Sequence, residues 1–277
     1  MRIVSLLPSA TEIIADLGLA DALVGRSEEC DWPPAVTQLP VVTSSRVRLE
    51  GLTGRQIDQA VRDAVANGES LYALDAELVE RLRPEVVVTQ DLCRVCAVSS
   101  DDVCDVGAEV ISLDPRTLAE IAASVRELGR RLGVPERGDE VASAMDDRIE
   151  RVRLHVQGLP RPRVFVAEWL DPPFAAGHWL PEMVAAAGGH EVLGRAGEHS
   201  FETSWDDVAA ANPDLVVLAP CGFDAARAEE EARGLDLPCR AVPVDANAFF
   251  SRPAPRVAEG VEILARILHP ESFAAAA

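Results

Sequence analysis

Short apolar runs alternate with helix-length stretches through the first 116 positions. Ile3–Leu7 reads as a β-strand, and Ser9-Ala10-Thr11-Glu12 behind it has the capping-box pattern that opens a helix, here through Leu17. Ala22–Arg26 reads as the next strand, and a polar stretch from Thr43 to Gly54 leads into a helix near Arg55–Ala66. Asp75 caps a short helix ending at Leu82, and Glu85–Thr89 and Glu109–Leu113 complete the strands. Strands that alternate with helices predict a largely parallel sheet. From Thr117 to Gln157 the period is helical throughout, broken at Gly133-Val134-Pro135. The second piece, Glu136–Gln157, spans about 33 Å at the α-helical rise. Beyond Gly158-Leu159-Pro160-Arg161-Pro162 the alternation resumes, with strands at Arg163–Ala167, Leu215–Leu218 and Arg240–Val244. Helices near Pro181–Ala187, Ser204–Ala210, Ala225–Arg233 and Val257–Leu268 separate them. The pattern predicts an α/β protein of two Rossmann-like lobes with mainly parallel sheets. Residues 1–116 and 161–277 form the lobes, and 117–160 form the connecting helices, including one long one.

The lobes share a segment. Asp75, Glu77, Pro84, Val86-Val87-Val88 and Cys93 in the first half match Ser204, Asp206, Pro213, Leu215-Val216-Val217 and Cys221 in the second. In both copies an N-cap residue stands nine positions before the proline and an acid seven before it. N-caps and X-Pro breaks are common singly, but the coincidence points to a duplicated unit. In open parallel sheets ligands bind outside the carboxyl ends of the strands. Cys93 and Cys221 follow two such ends, so loops from both lobes are expected to line one ligand cleft between them.

Composition narrows the partners. The 277 residues carry 46 acids and 26 bases, every base an arginine, for a net charge of −20. Nucleic-acid binding needs a basic face, so that class is excluded, and the charge favours a soluble protein, expected as a monomer that takes a small-molecule ligand in its cleft. No apolar run reaches the about 20 residues of a membrane span. Met1-Arg2 leads into only five apolar-run residues before Pro8, which is too short for a secretory signal. The expected location is therefore the cytoplasm, with the six cysteines reduced. A translation start further upstream would change that to a periplasmic or extracellular site.

The chain resembles the substrate-binding proteins of ABC importers whose two lobes are joined by one long helix, and within them the cobalamin (vitamin B12) branch. The resemblance is carried by Arg2–Glu12 (RIVSLLPSATE), Val24-Gly25, Cys30–Pro34 (CDWPP), Arg83–Val88 (RPEVVV) and Glu168–Phe174 (EWLDPPF) with Gly177. Ala187-Gly188-Gly189, Asn212-Pro213-Asp214 and Ser251–Arg256 (SRPAPR) extend it over nearly the whole chain. It implies that Glu77 and Asp206 dock onto arginines of a transporter membrane subunit if the protein is exported. Their other reading is first-turn acids favoured by the helix dipole. It also implies aromatics lying against a flat corrin, for which Trp32, Phe174, Trp179, Phe249 and Phe250 are the candidates; core packing is the alternative for each.

The expected cleft loops add Cys30 as a ligand-binding candidate, and Gln90, Asp91, Asp245, Asn247 and Arg252 as polar contacts to an amide- or carboxylate-bearing ligand. Cys93 and Cys96 form a CxxC, which places two thiols on one turn and suits zinc or another transition metal. Cys221 and His178 would complete a Cys3His site, with Cys30 as a substitute; a buried thiol pair or a redox dithiol is the alternative. His178 has a second reading, as an imidazole facing the cobalt of a corrinoid, and a third, as a loop histidine bonded to backbone. Cys104 and Cys239 read as structural.

Three functions follow in order. The first is a cobalamin- or corrinoid-binding protein that is not exported. The second is a cytoplasmic metal- or metal-cofactor-binding protein using cleft Cys and His ligands. The third is a thiol oxidoreductase at the CxxC. No glycine-rich nucleotide fingerprint, nucleophile elbow or HExxH helix is present, so a non-enzymatic binding role leads.

Overall fold

A computed structural model describes residues 1–47, 51–67, 70–90 and 107–274. The chain divides into two compact units. One comprises Met1–Leu52, Gln56–Pro115 and Ala123–Val141; the other comprises Thr53–Arg55, Arg116–Ala122 and Ala142–Ala277.

The N-terminal unit contains β1 (Ile3–Ser5), α1 (Pro8–Asp16), β2 (Leu23–Arg26), β3 (Thr43–Ser45), α2 (Gly54–Ala66), β4 (Tyr72–Leu74), α3 (Ala76–Leu82), β5 (Val86–Thr89) and β6 (Glu109–Ser112). The first two residues of α2, Gly54 and Arg55, belong to the other unit. Its main sheet has the order β2-β1-β5-β6 and is parallel throughout. All four residues of β5 are buried, as a central parallel strand covered on both faces requires. Val4, Leu6, Val42, Val79 and Val87 form the core on one side.

Two local expectations fail here. The capping-box reading of Ser9 is wrong: Leu7 holds the N-cap position with no side-chain bond, and Pro8 starts the helix, where its missing N–H is not needed. Ser9, Thr11 and Glu12 face inward instead. The stretch from Thr43 is not simply polar loop, because β3 pairs antiparallel with β4 in a separate two-stranded sheet. Three-residue strands are too short to show a period of two.

Two helices carry the chain between the units: α4 (Leu118–Arg131) and α5 (Pro135–His155). Both contain residues of each unit, and α5 is the long helix expected from the pattern.

The C-terminal unit contains β7 (Arg163–Leu170), β8 (Pro173–Ala175), α6 (Leu180–Ala186), β9 (His190–Glu191), β10 (Phe201–Glu202), α7 (Trp205–Ala210), β11 (Leu215–Leu218), α8 (Ala225–Glu231), β12 (Ala241–Pro243), α9 (Ala246–Phe249), α10 (Val257–Leu268) and α11 (Pro270–Ala274). Its sheet runs β10-β8-β7-β11-β12, with β9 also on β7. The β7-β11-β12 part and the β9 pairing are parallel, while β8 turns back antiparallel on β7 and pairs with β10. Phe165, Leu170, Val208, Val216 and Leu218 lie in its core, with Cys239 packed against them. On α5, Arg148 donates from Nε and Nη2 to the two oxygens of Glu262 on α10, both at 3.0 Å, pinning these helices within the unit.

Candidate functional site

The best-defined cluster lies in the C-terminal unit, around the turn from β8 into α6. Gly177 begins it. A Cβ there would collide with the backbone of Ser200, with Glu198 O at 2.5 Å and with His199 C at 2.6 Å, so only glycine lets the two loops meet. His178 follows in the left-handed conformation, φ 49°. Its N–H donates to Glu198 O at 2.6 Å, and its carbonyl accepts from Gly197 N–H at 2.9 Å. Glu168 Oε2 accepts the Gly177 N–H at 3.1 Å. The histidine backbone is therefore held on both sides.

The imidazole stands edge-to-face against His199, with ring centroids 5.1 Å apart, and 5.7 Å from the ring of Trp179. Burial pushes His178 down to about 4, and the neighbouring His199 and the charge of Arg116 act in the same direction. It is thus neutral at pH 7. Its Nε2 is buried and makes no hydrogen bond among the described residues. A buried polar atom without a partner in an otherwise satisfied loop asks for an explanation in ligand binding. The backbone of His178 is bonded within the loop, while its ring nitrogen Nε2 is not.

The other expected site residues separate into groups. Trp179 and Phe250 are buried, 6% and 1% exposed, and the indole Nε1 donates to Phe250 O at 2.8 Å. They pack this unit and do not present ring faces, which corrects their reading as corrin-stacking groups. Phe249 carries the Arg256 guanidinium 4.7 Å over its ring. Phe174 is half-buried in β8, and Trp32 in the N-terminal unit is 42% exposed. The loop expected at Asp245–Arg252 contains α9. Asp245 is its N-cap, accepting from Ala248 N–H at 2.8 Å, and Asn247 Oδ1 accepts from Arg252 Nη2 at 2.9 Å.

Cys30 is 1% exposed, with the Thr11 hydroxyl 3.0 Å and the Ser27 hydroxyl 3.3 Å from its sulfur. Gln90 is buried just past β5. Cys221 is exposed, its N–H bonded to Glu168 O at 3.1 Å. Asp91, Cys93, Cys96 and Cys104 lie outside the described residues. Among the described residues no group of three or more His, Cys, Asp or Glu side chains converges to hold a metal ion, and no helix is long and apolar enough to cross a membrane. Glu77 and Asp206 are exposed in the first turns of α3 and α7.

Sequence reasoning missed His199, Glu198 and Arg116. Nothing marks them along the chain; the fold brings them to His178.

Two α/β units, each built on a sheet with parallel central strands, with their chain connection through α4 and α5, define the class: a two-unit binding-protein fold. Residues 3–236 match the periplasmic binding protein family, and the chain belongs to that family. It is 23% identical over 98% of its length to an uncharacterized ABC transporter substrate-binding lipoprotein, YvrC of Bacillus subtilis, of which 81% is covered. The periplasmic vitamin B12 binding protein BtuF of Vibrio cholerae has the same fold, with a TM-score of 0.68, 21% identity and 98% of each chain covered. So does the periplasmic heme-binding protein RhuT from Roseiflexus sp. RS-1, with a TM-score of 0.70, 22% identity and coverage of 98% of this chain and 99% of that one.

Proposed function

We propose that this protein is a ligand-binding component for a metal-centred tetrapyrrole of the corrinoid or haem type, and that His178 supplies the imidazole facing the metal. The observation that carries the reading is the neutral His178 ring with its Nε2 unpartnered, held by backbone bonds on both sides. A tetrapyrrole fills the four equatorial positions of its metal with its own nitrogens, so one imidazole from the protein suffices. A bare transition-metal ion would need three or four protein ligands. The similarity to proteins that bind vitamin B12 and heme supports the same class. Binding, not bond-making, is the proposed activity. Glu77 and Asp206 are proposed as the transporter-docking acids.

Titration with hemin and with cyanocobalamin, followed by absorbance, tests this directly. At least one should bind stoichiometrically, and His178→Ala should lower its affinity by at least tenfold and alter the metal-sensitive bands. If neither ligand binds the intact chain, or if His178→Ala binds with an unchanged spectrum, the reading is wrong.

A further inference from the structure

The segment Arg116–Leu118 is fastened beside the His178 loop at several points. Leu118 N–H donates to Glu182 Oε2 at 2.7 Å, and Glu182 lies in the first turn of α6, the helix entered through His178 and Trp179. Arg116 N–H donates to Glu120 Oε2 at 2.6 Å, closing the turn into α4. Thr117 Cγ2 stands 3.8 Å from where a Cβ on Gly197 would be, and Gly197 is the residue bonded to the His178 carbonyl. With its backbone fixed in this way, Arg116 stands at the edge of the His178 loop with its side chain exposed.

Among the described residues that guanidinium is unclaimed. Among the described residues no carboxylate forms an ion pair with it. Two acids of these loops are engaged elsewhere: Glu120 with the Arg116 backbone, and Glu198 with Arg195 at 3.4 Å. A guanidinium presents a planar fork of donors that matches a carboxylate, and it gains much less from a neutral amide. In a protein with 46 acids against 26 bases, an arginine left open at the edge of the His178 loop is placed to receive an anion from outside the chain.

We infer that this site selects tetrapyrroles whose rim bears carboxylates, with Arg116 receiving one carboxylate while His178 faces the metal. The inference rests on the tetrapyrrole reading above and sharpens it to a substrate class. Haem carries ionised propionates, whereas the rim of cobalamin carries amides. A corrin whose side chains are still acids shares the haem chemistry at the rim, so the selected feature is the carboxylate and not the macrocycle.

Four probes separate rim from ring: hemin, its dimethyl ester, dicyanocobyrinic acid and cyanocobalamin. Each is titrated into the full chain and into Arg116→Gln and Arg116→Lys. The two acids should bind at least tenfold more tightly than the ester and the amide. Arg116→Gln should remove about tenfold from the acids, as loss of one charge-assisted contact implies, and leave the other two unchanged. Arg116→Lys should retain part of the preference. Which of the two acids binds more tightly identifies the macrocycle. Equal affinity for hemin and its ester, or uniform weakening of all probes by Arg116→Gln, overturns the inference while leaving tetrapyrrole binding intact. If no probe binds, the tetrapyrrole reading fails and this inference falls with it. Because Arg116 is exposed, its variants should melt with the parent, and that is checked first.

Discussion

Arg163 donates from Nε to the carbonyl of Asn212 at 3.0 Å, and its Nη2 reaches the carbonyl of Ala211 at 2.7 Å. Arg2 does the equivalent in the other unit, from Nε to the carbonyl of Leu82 at 2.8 Å. Each arginine stands at the start of a central strand and satisfies carbonyls at the end of the helix before the matched proline. A cation there also meets the negative end of the helix. Arg163→Ala should cost about 1 kcal/mol, and Arg2→Ala less, since it loses a single bond. Urea midpoints at constant slope measure both. A larger loss at Arg2 than at Arg163 would contradict this account.

The repeat read from Pro84 and Pro213 extends to backbone conformation. Arg83 and Asn212, the residues before the two prolines, are both left-handed, with φ 46° and 49°. Asparagine tolerates that region and arginine does not. Arg83→Gly should therefore raise stability by about 0.5–1 kcal/mol, and Asn212→Gly by less. A Tm that falls in Arg83→Gly would mean that the exposed side chain contributes more than the strain costs.

Two tryptophans in the C-terminal unit give opposite expectations. Trp179 Nε1 has a buried acceptor in Phe250 O at 2.8 Å, whereas the buried Nε1 of Trp205 has none among the described residues. Removing one partner of a buried bond leaves the other unsatisfied, so Trp179→Phe should cost about 1–3 kcal/mol. Trp205→Phe deletes a donor that was already unmet and should cost under about 1 kcal/mol. Chemical denaturation of the pair decides, and the ranking is the test.

The difference between what was legible and what was not follows from range. Asp75 and Ser204 were readable as N-caps because the signal is local, and both side chains accept the expected N–H, from Leu78 at 2.9 Å and from Asp207 at 3.1 Å. Leu215–Leu218 and Val257–Leu268 were readable because long or fully buried apolar runs leave few alternatives. The failures sit where tertiary context decides. Pro8 displaced a plausible capping box at Ser9, and β8 was hidden because Pro173-Phe174-Ala175 has no alternation. Trp179 and Phe250 read as ligand faces through the family resemblance, but hydrogen bonding and burial are properties of the fold. His178 was legible as a candidate, while Arg116 and His199 needed the packing of three separate loops.

Glu191 makes a test of pH dependence within the fold. Its oxygens accept N–H groups from Val166 at 3.0 Å, Leu193 at 3.2 Å and Gly194 at 3.0 Å. Burial nevertheless pushes the carboxyl up to about 7 against those donors. An acid with a raised folded-state pKa holds a proton that the unfolded chain releases. Its contribution is therefore fully present below about pH 4.5 and is lost as pH rises towards about 7, by on the order of 3 kcal/mol. Glu191→Gln removes this term, so the stability gap between wild type and variant should narrow from pH 5 to pH 7.5. Parallel profiles across that range would refute it.

His178 shifts the opposite way, and its consequence is read in the ligand. An ordinary histidine protonates below about pH 6.5 and can then no longer offer a lone pair to a metal. With His178 pushed down to about 4, the folded protein keeps a neutral imidazole through the mildly acid range. The stability it contributes is present above the unfolded value and declines as pH falls through the window from about 6.5 to about 4. Metal-sensitive absorbance of the hemin or corrinoid complex should therefore be unchanged from pH 7.5 to about pH 5 and be lost only near pH 4. His199→Ala removes one of the neighbours that lower His178, so the loss should move to higher pH in that variant. A midpoint near pH 6.5 in wild type, or no movement in His199→Ala, would show that the imidazole in contact with the ligand is not the one described here.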